Sequence, residues 1–183
     1  MATQTSPAEA VAQLRERIEQ RRAADWLPEP GPTVQERRRH WRDVATRRAQ
    51  KVAAGEHIDD TLLPQLRGDA VLNRLGREFL KAAERGNAPL VRAYLEEGFP
   101  ANYQDRRTGE TALLASAGAR ARDVLRVLLD SGLCNFLLRD KGGRLASELA
   151  YLFGRDPAAA RLLGIKERKQ AETAGVRLTR RSQ

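Results

Sequence analysis

The sequence predicts an all-α fold: a helical N-terminal arm followed by a short solenoid of helix pairs. Three observations carry this. Of the 183 residues 28 are Ala, so the 41% hydrophobic share leaves 47 larger apolar or aromatic side chains, which suits thin layers of packed helices better than one deep core. Apolar residues recur at three-then-four spacing along the first half. The second half repeats itself with a period of 34 residues.

The first helix spans about residues 8–24, where Val11, Leu14 and Ile18 form a narrow stripe among Glu and Arg. Pro28-Glu29-Pro30-Gly31-Pro32 then imposes an extended turn, because each ring fixes its own φ. Thr33 followed by Glu36 is a capping box, so a second helix runs over about 34–54 and stops at Gly55. Its apolar stripe is Trp41, Val44, Ala45 and Val52. Neither helix carries enough apolar surface to stand alone, so both are expected to pack on each other, on the later helices or on another protein. After the polar turn Glu56-His57-Ile58-Asp59-Asp60, the residues Leu62, Leu63 and Leu66 lead into a third helix over about 69–85.

From here the repeat sets in. A shift of 34 lays Leu80 on Leu114, Ala83 on Ala117, Val91 on Leu125, Leu95 on Leu129 and Gly98 on Gly132. A second shift of 34 lays Thr111 on Leu145, Ala112 on Ala146, Leu128 on Leu162 and Leu129 on Leu163. Between Gly98 and Thr111, the residues Pro100, Asn102, Asp105 and Gly109 make a turn-rich stretch that suits a projecting hairpin and is too long for the tight link of a tetratricopeptide unit.

On these residues the chain resembles the ankyrin repeat family. Gly98-Phe-Pro-Ala-Asn102 is similar to the exit from that family's second helix, and Asp105…Gly109-Glu-Thr111-Ala112-Leu113 to its hairpin and first-helix start. Asp140-Lys-Gly-Gly143-Arg144-Leu-Ala146-Ser-Glu-Leu-Ala150 matches again. The family's Thr-Pro-Leu-His stands here as Thr111-Ala112-Leu113-Leu114 and Leu145-Ala146-Ser147-Glu148, without the His, and one extra residue lies between Asp105 and Gly109. The resemblance covers Arg77 to Gly164. It implies an arm over 1–76, about three ankyrin-like repeats over 77–166 and a basic tail over 167–183, with arm and tail either capping the stack or projecting from it.

The formal net charge is +9, and 28 of the 33 basic residues are Arg, a bias that a GC-rich coding sequence also produces. Residues 141–183 carry 10 basic against 4 acidic side chains, while the segments before them are nearly balanced. Across the fifteen positions 37–51, Arg37, Arg38, Arg39, Arg42, Arg47, Arg48 and Lys51 face only Asp43, a local positive field. It reads in three ways: an intramolecular face bridging Glu16, Glu19 and Asp43, a dock for an acidic protein, or a nucleic-acid contact through Arg38, Arg39 and Arg42.

The resemblance implies a non-catalytic protein-binding module, an adaptor or structural subunit, with a partner held by hairpin tips and the concave face. That nominates Tyr103, Arg106, Arg107 and Glu110 in one hairpin and Lys141 and Arg144 in the next, set against the plain alternative that such arginines solvate a turn. A regulator that caps an enzyme is the other open role. Enzymatic chemistry has little to stand on: His40 and His57 are not spaced to pair with Cys134, and no glycine-rich phosphate loop occurs. Glu56-His57-x-Asp59-Asp60 is poor in nitrogen and sulfur donors for a metal, and a solvated acidic turn accounts for it. The expectations are therefore no cofactor, no metal and no small-molecule substrate. With no apolar run of about 18 residues and no leader in Met1–Ala12, the chain is expected neither to span a membrane nor to be secreted. A cytoplasmic setting, or a cytoskeletal or nuclear one, follows.

Overall fold

The computed structural model describes residues 5–23 and 33–179. The Pro28–Pro32 turn and the arginines Arg180 and Arg181 lie outside the described residues. Within them the chain is all-helical: α1 (Pro7–Ala23), α2 (Val34–Ala53), α3 (Ala70–Glu84), α4 (Ala88–Glu97), α5 (Ala112–Gly118), α6 (Arg122–Ser131), α7 (Ala146–Leu152) and α8 (Pro157–Ala174). The pairs α3/α4, α5/α6 and α7/α8 stack in order, with α3, α5 and α7 packed in an inner layer and α4 against α6 outside.

Local chemistry sets the helix ends. Thr33 and Glu36 form the expected reciprocal box at the start of α2. Asp69, Asn87 and Thr111 cap α3, α4 and α5 through their side chains, and α4 and α6 both end on left-handed glycines, Gly98 (φ 102) and Gly132 (φ 69). Equivalent caps recur 34 residues apart, Asn87 with Ala121 and Thr111 with Leu145. The last unit breaks the period. Its outer helix is capped by Asp156, 35 residues after Ala121, because the α7–α8 link holds one extra residue. Leu128 therefore corresponds to Leu163, not Leu162: Leu163 is 1% exposed and Leu162 45%.

The core follows the same units. Phe79, Tyr94, Phe99 and Tyr103 form a continuous aromatic chain, with successive ring centroids 5.3, 5.4 and 5.7 Å apart. Tyr103 lies flat on α3 where Gly76 leaves room, since a Cβ there would stand 2.0 Å from the ring. Between units the turns join by backbone bonds: Asp105 N–H to the Glu110 carbonyl (2.9 Å) within one turn, and Lys141 N–H to the Thr108 carbonyl (3.0 Å) between turns. Gly109 (φ 72) permits this approach, because a Cβ would sit 2.7 Å from the Lys141 nitrogen.

The arm is docked. α1 buries Ala10, Val11, Leu14 and Ile18 against α3 and α4, and α2 lays Trp41 and Val44 over α4 and α6. Ala45 and Val52, expected on the buried stripe, face solvent; the inner face of α2 continues instead through Arg48 and Lys51. The unit boundaries also shift from those expected. Residue 77 falls inside α3, and residues 167–174 belong to α8, where buried Glu167 accepts from the Ser147 N–H (2.8 Å) and hydroxyl (2.6 Å). These residues are the outer helix of the third unit, held by polar bonds that a charge count does not show.

Candidate functional site

Two grooves flank the turns. The concave one, about 490 Å³, runs between the inner helices and the turns and has a floor of Leu80, Leu114 and Leu149. Gly118 and Ala119 line it at the end of α5, and Arg77, Lys81, Glu84, Arg107, Glu110 and Arg144 rim it. The floor leucines are nearly fully buried, so they show only a little apolar surface between the charged edges. On the opposite side of the turns a second groove of about 890 Å³ lies against the 58–69 connector, with Arg67, Arg106, Arg139 and Lys141 facing Asp60, Asp105 and Asp140.

The residues expected to contact a partner separate accordingly. Arg107, Glu110 and Arg144 come together on the concave groove, and Arg106 and Lys141 on the other. Arg106, Arg107 and Lys141 are exposed and make no salt bridge among the described residues. Arg144 is already engaged: Asp140 grips its guanidinium at 2.6 and 2.7 Å, and the plane sits 5.0 Å from the centre of exposed Phe153. This cation–π pair forms a preset edge of the groove. Tyr103 does not belong with them. It is 4% exposed, packed between Phe99 and Gly76, with its hydroxyl donating to Asn73 Oδ1 at 3.4 Å. Its sequence neighbourhood is a turn, but the repeat turns this aromatic inward.

On the arm, Arg38, Arg39 and Arg42 are exposed on the outer face of α2 without a salt bridge among the described residues. The inner face pairs with the repeats, not with Glu16, Glu19 or Asp43. Arg37 meets Asp130 (2.8 Å), His40 meets Glu96 (2.7 Å), Lys51 meets Glu97 (2.8 Å) and Arg48 donates to the Leu95 carbonyl. α1 adds Arg21 to Glu96 (2.7 Å) and Arg17 to Glu97 (3.2 Å). Burial pushes Glu97 upward, yet Lys51, Arg21 and Arg17 outweigh it and hold its carboxyl below the usual range. The sequence marked Arg37, Arg48 and Lys51 as part of a positive field with an intramolecular pairing among its readings, but not the acceptors Asp130, Glu96 and Glu97; Arg37, His40, Val44, Arg48 and Lys51 share one face at helical spacing.

The remaining reactive groups are spent structurally. Cys134 is buried with its thiol pushed up to about 12 by desolvation. His57 lies under Gly98, and burial, with Arg48 beside it, pulls its ring down to about 4. Asp59 is used up on Thr61 and Leu62, and Asp60 on Asn102. Among the described residues no group of three or more His, Cys, Asp or Glu side chains could hold a metal ion, and no helix is long and apolar enough to cross a membrane.

The fold defines the class: an all-α solenoid of stacked helix pairs with a docked helical arm. No known protein-family profile matches the chain. Among curated proteins it is similar to a putative ankyrin repeat-containing protein of Treponema pallidum (strain Nichols), 33% identical over 117 residues, which is 64% of this chain and 35% of that relative. The chain thus spans about a third of that relative's length.

Proposed function

We propose that this chain is a non-catalytic protein-binding module, an adaptor or structural subunit, that receives an extended partner segment along the concave groove and across the turn tips. The observation that carries the reading is the coincidence, in one groove, of an apolar leucine floor with rim charges that form no salt bridge among the described residues, notably Arg107. Buried apolar centre and charged rim are the arrangement of a protein interface. Similarity to the putative ankyrin repeat-containing protein of Treponema pallidum supports the same reading.

Arg106, Arg107, Glu110, Lys141 and Arg144 are the proposed contacts, with Arg77 and Lys81 added by the groove's geometry. A second reading, recruitment to nucleic acid, rests on the outward arginines of α2, Arg38, Arg39 and Arg42, which are exposed and form no salt bridge among the described residues. A photo-crosslinking residue placed at Arg107 or Lys81, and separately at Arg42, in cells of the source organism decides between them. A discrete protein adduct from the groove positions, lost on Arg77→Glu, supports the groove. Adducts from position 42 alone that disappear with nuclease establish the nucleic-acid reading instead.

A further inference from the structure

The back of the stack repeats one pair of positions on each outer helix. They are Ala93 and Glu96 on α4, Val127 and Asp130 on α6, and Leu162 and Ile165 on α8, the last fixed by the cap at Asp156. The arm covers the first two pairs. Ala93 and Val127 are 1% and 6% exposed, Glu96 is held by Arg21 and His40, and Asp130 by Arg37. At the third pair the acid gives way to Ile165, and Leu162 and Ile165 stand 45% and 48% exposed.

The charges around that pair are inverted too. Arg161, Lys166, Arg168 and Lys169 on α8 are exposed and form no salt bridge among the described residues, and the sole exposed acid on the helix is Glu172. Where α4 and α6 offer an acid to a cationic helix, α8 offers an apolar pair between cations. The complement of such a surface is a helix with an apolar stripe and carboxylates beside it. We propose that the back of α8 docks an acidic amphipathic helix of a partner protein, seated on Leu162 and Ile165 and clamped by the flanking Arg and Lys side chains.

Two other classes of binder fit less well. Phosphate recognition by the cations alone leaves the two apolar side chains unused. A bilayer surface calls for a long apolar face, and this one is two residues wide. The proposal is independent of the concave groove, which lies on the other side of the stack.

The test is a selection of displayed helical peptides of random surface composition on the full-length protein, followed by affinity measurement of the enriched sequences. The expected winners carry Glu or Asp beside an apolar stripe and bind about tenfold or more weaker to Leu162→Ser/Ile165→Ser. They also weaken with Lys166→Glu/Lys169→Glu and are unaffected by Arg107→Glu. Both changed pairs are exposed, so an unchanged circular dichroism spectrum and urea midpoint verify the fold. The proposal is overturned if no peptide enriches, if the winners are neutral or basic, or if they bind the Ser variant equally well. It is also overturned if Leu162 and Ile165 are needed only for sedimentation with phosphatidylserine vesicles.

Discussion

The turn side and the arm side of this stack use the same residue types to opposite ends. On the turn side Arg106, Arg107 and Lys141 are exposed and form no salt bridge among the described residues. On the arm side Arg17, Arg21, Arg48 and Lys51 are drawn onto the end of α4. The cause lies in α4, which closes on Glu96-Glu97, two carboxylates at the negative end of a helix where cations are favoured. The arm supplies those cations and also meets the last carbonyls, Arg48 at Leu95 and Arg17 at Glu97. Charge on one side is thus committed to holding the arm down, and on the other it faces solvent.

The sharpest way to break that contrast is Glu96→Ala. Its side chain is 5% exposed and serves both Arg21 and His40, so its loss removes the acceptor from a largely buried network. The expected cost is about 3–5 kcal/mol in urea unfolding. Arg107→Ala on the turn side should cost less than about 0.5 kcal/mol, as surface changes do. Equal effects would erase the distinction. Next in size is Gly76→Ala, about 3 kcal/mol, because the added methyl meets the Tyr103 ring at 2.0 Å and the aromatic chain behind it has no slack.

The arm side also predicts acid sensitivity. His57 titrates near 4 in the fold instead of 6.5, so below pH 6.5 the unfolded chain takes up a proton that the folded one refuses. Stability is then lost as pH falls from about 6.5 toward 4, and none is lost above that window. The full linkage is near 3 kcal/mol, reduced to about 2 kcal/mol by the ring's partial exposure. Asp156, held down to about 2 by the Arg122 guanidinium and the Ala159 N–H, adds a separate loss below its ordinary 3.8. Urea midpoints across this range should therefore fall in two steps, and His57→Gln should remove the upper one alone.

Helix positions, the Thr33–Glu36 box, the period and the glycine exits were all legible because each is a local rule written in adjacent residues. The docked arm was legible only as a need, since Val11, Leu14 and Ile18 had to be covered by something. Its actual partners were not, because the inner face of α2 is built from Arg, His and Lys that a hydrophobic pattern passes over. Tyr103 failed for the converse reason. A turn sequence suggests exposure, and only the missing side chain at Gly76, 27 positions earlier, shows where the ring goes. The slip between Leu162 and Leu163 came from one residue inserted in a short link, invisible to a fixed period.

The smallest expected effect bears most directly on the groove. Gly118 ends α5 with nothing within 4 Å of where a Cβ would stand and no left-handed backbone to protect, unlike Gly76 and Gly109. A helix pays for a glycine in entropy, so Gly118→Ala should gain about 0.5 kcal/mol in the same urea titration. Gly118 lines the concave groove beside its leucine floor, so a side chain added there enters the path proposed for the partner without a Cβ clash in the fold. Gly118→Leu should accordingly keep the stability and abolish the crosslink from position 107. If it unfolds the protein, the open space is structural; if the crosslink survives, the groove is not where the partner lies.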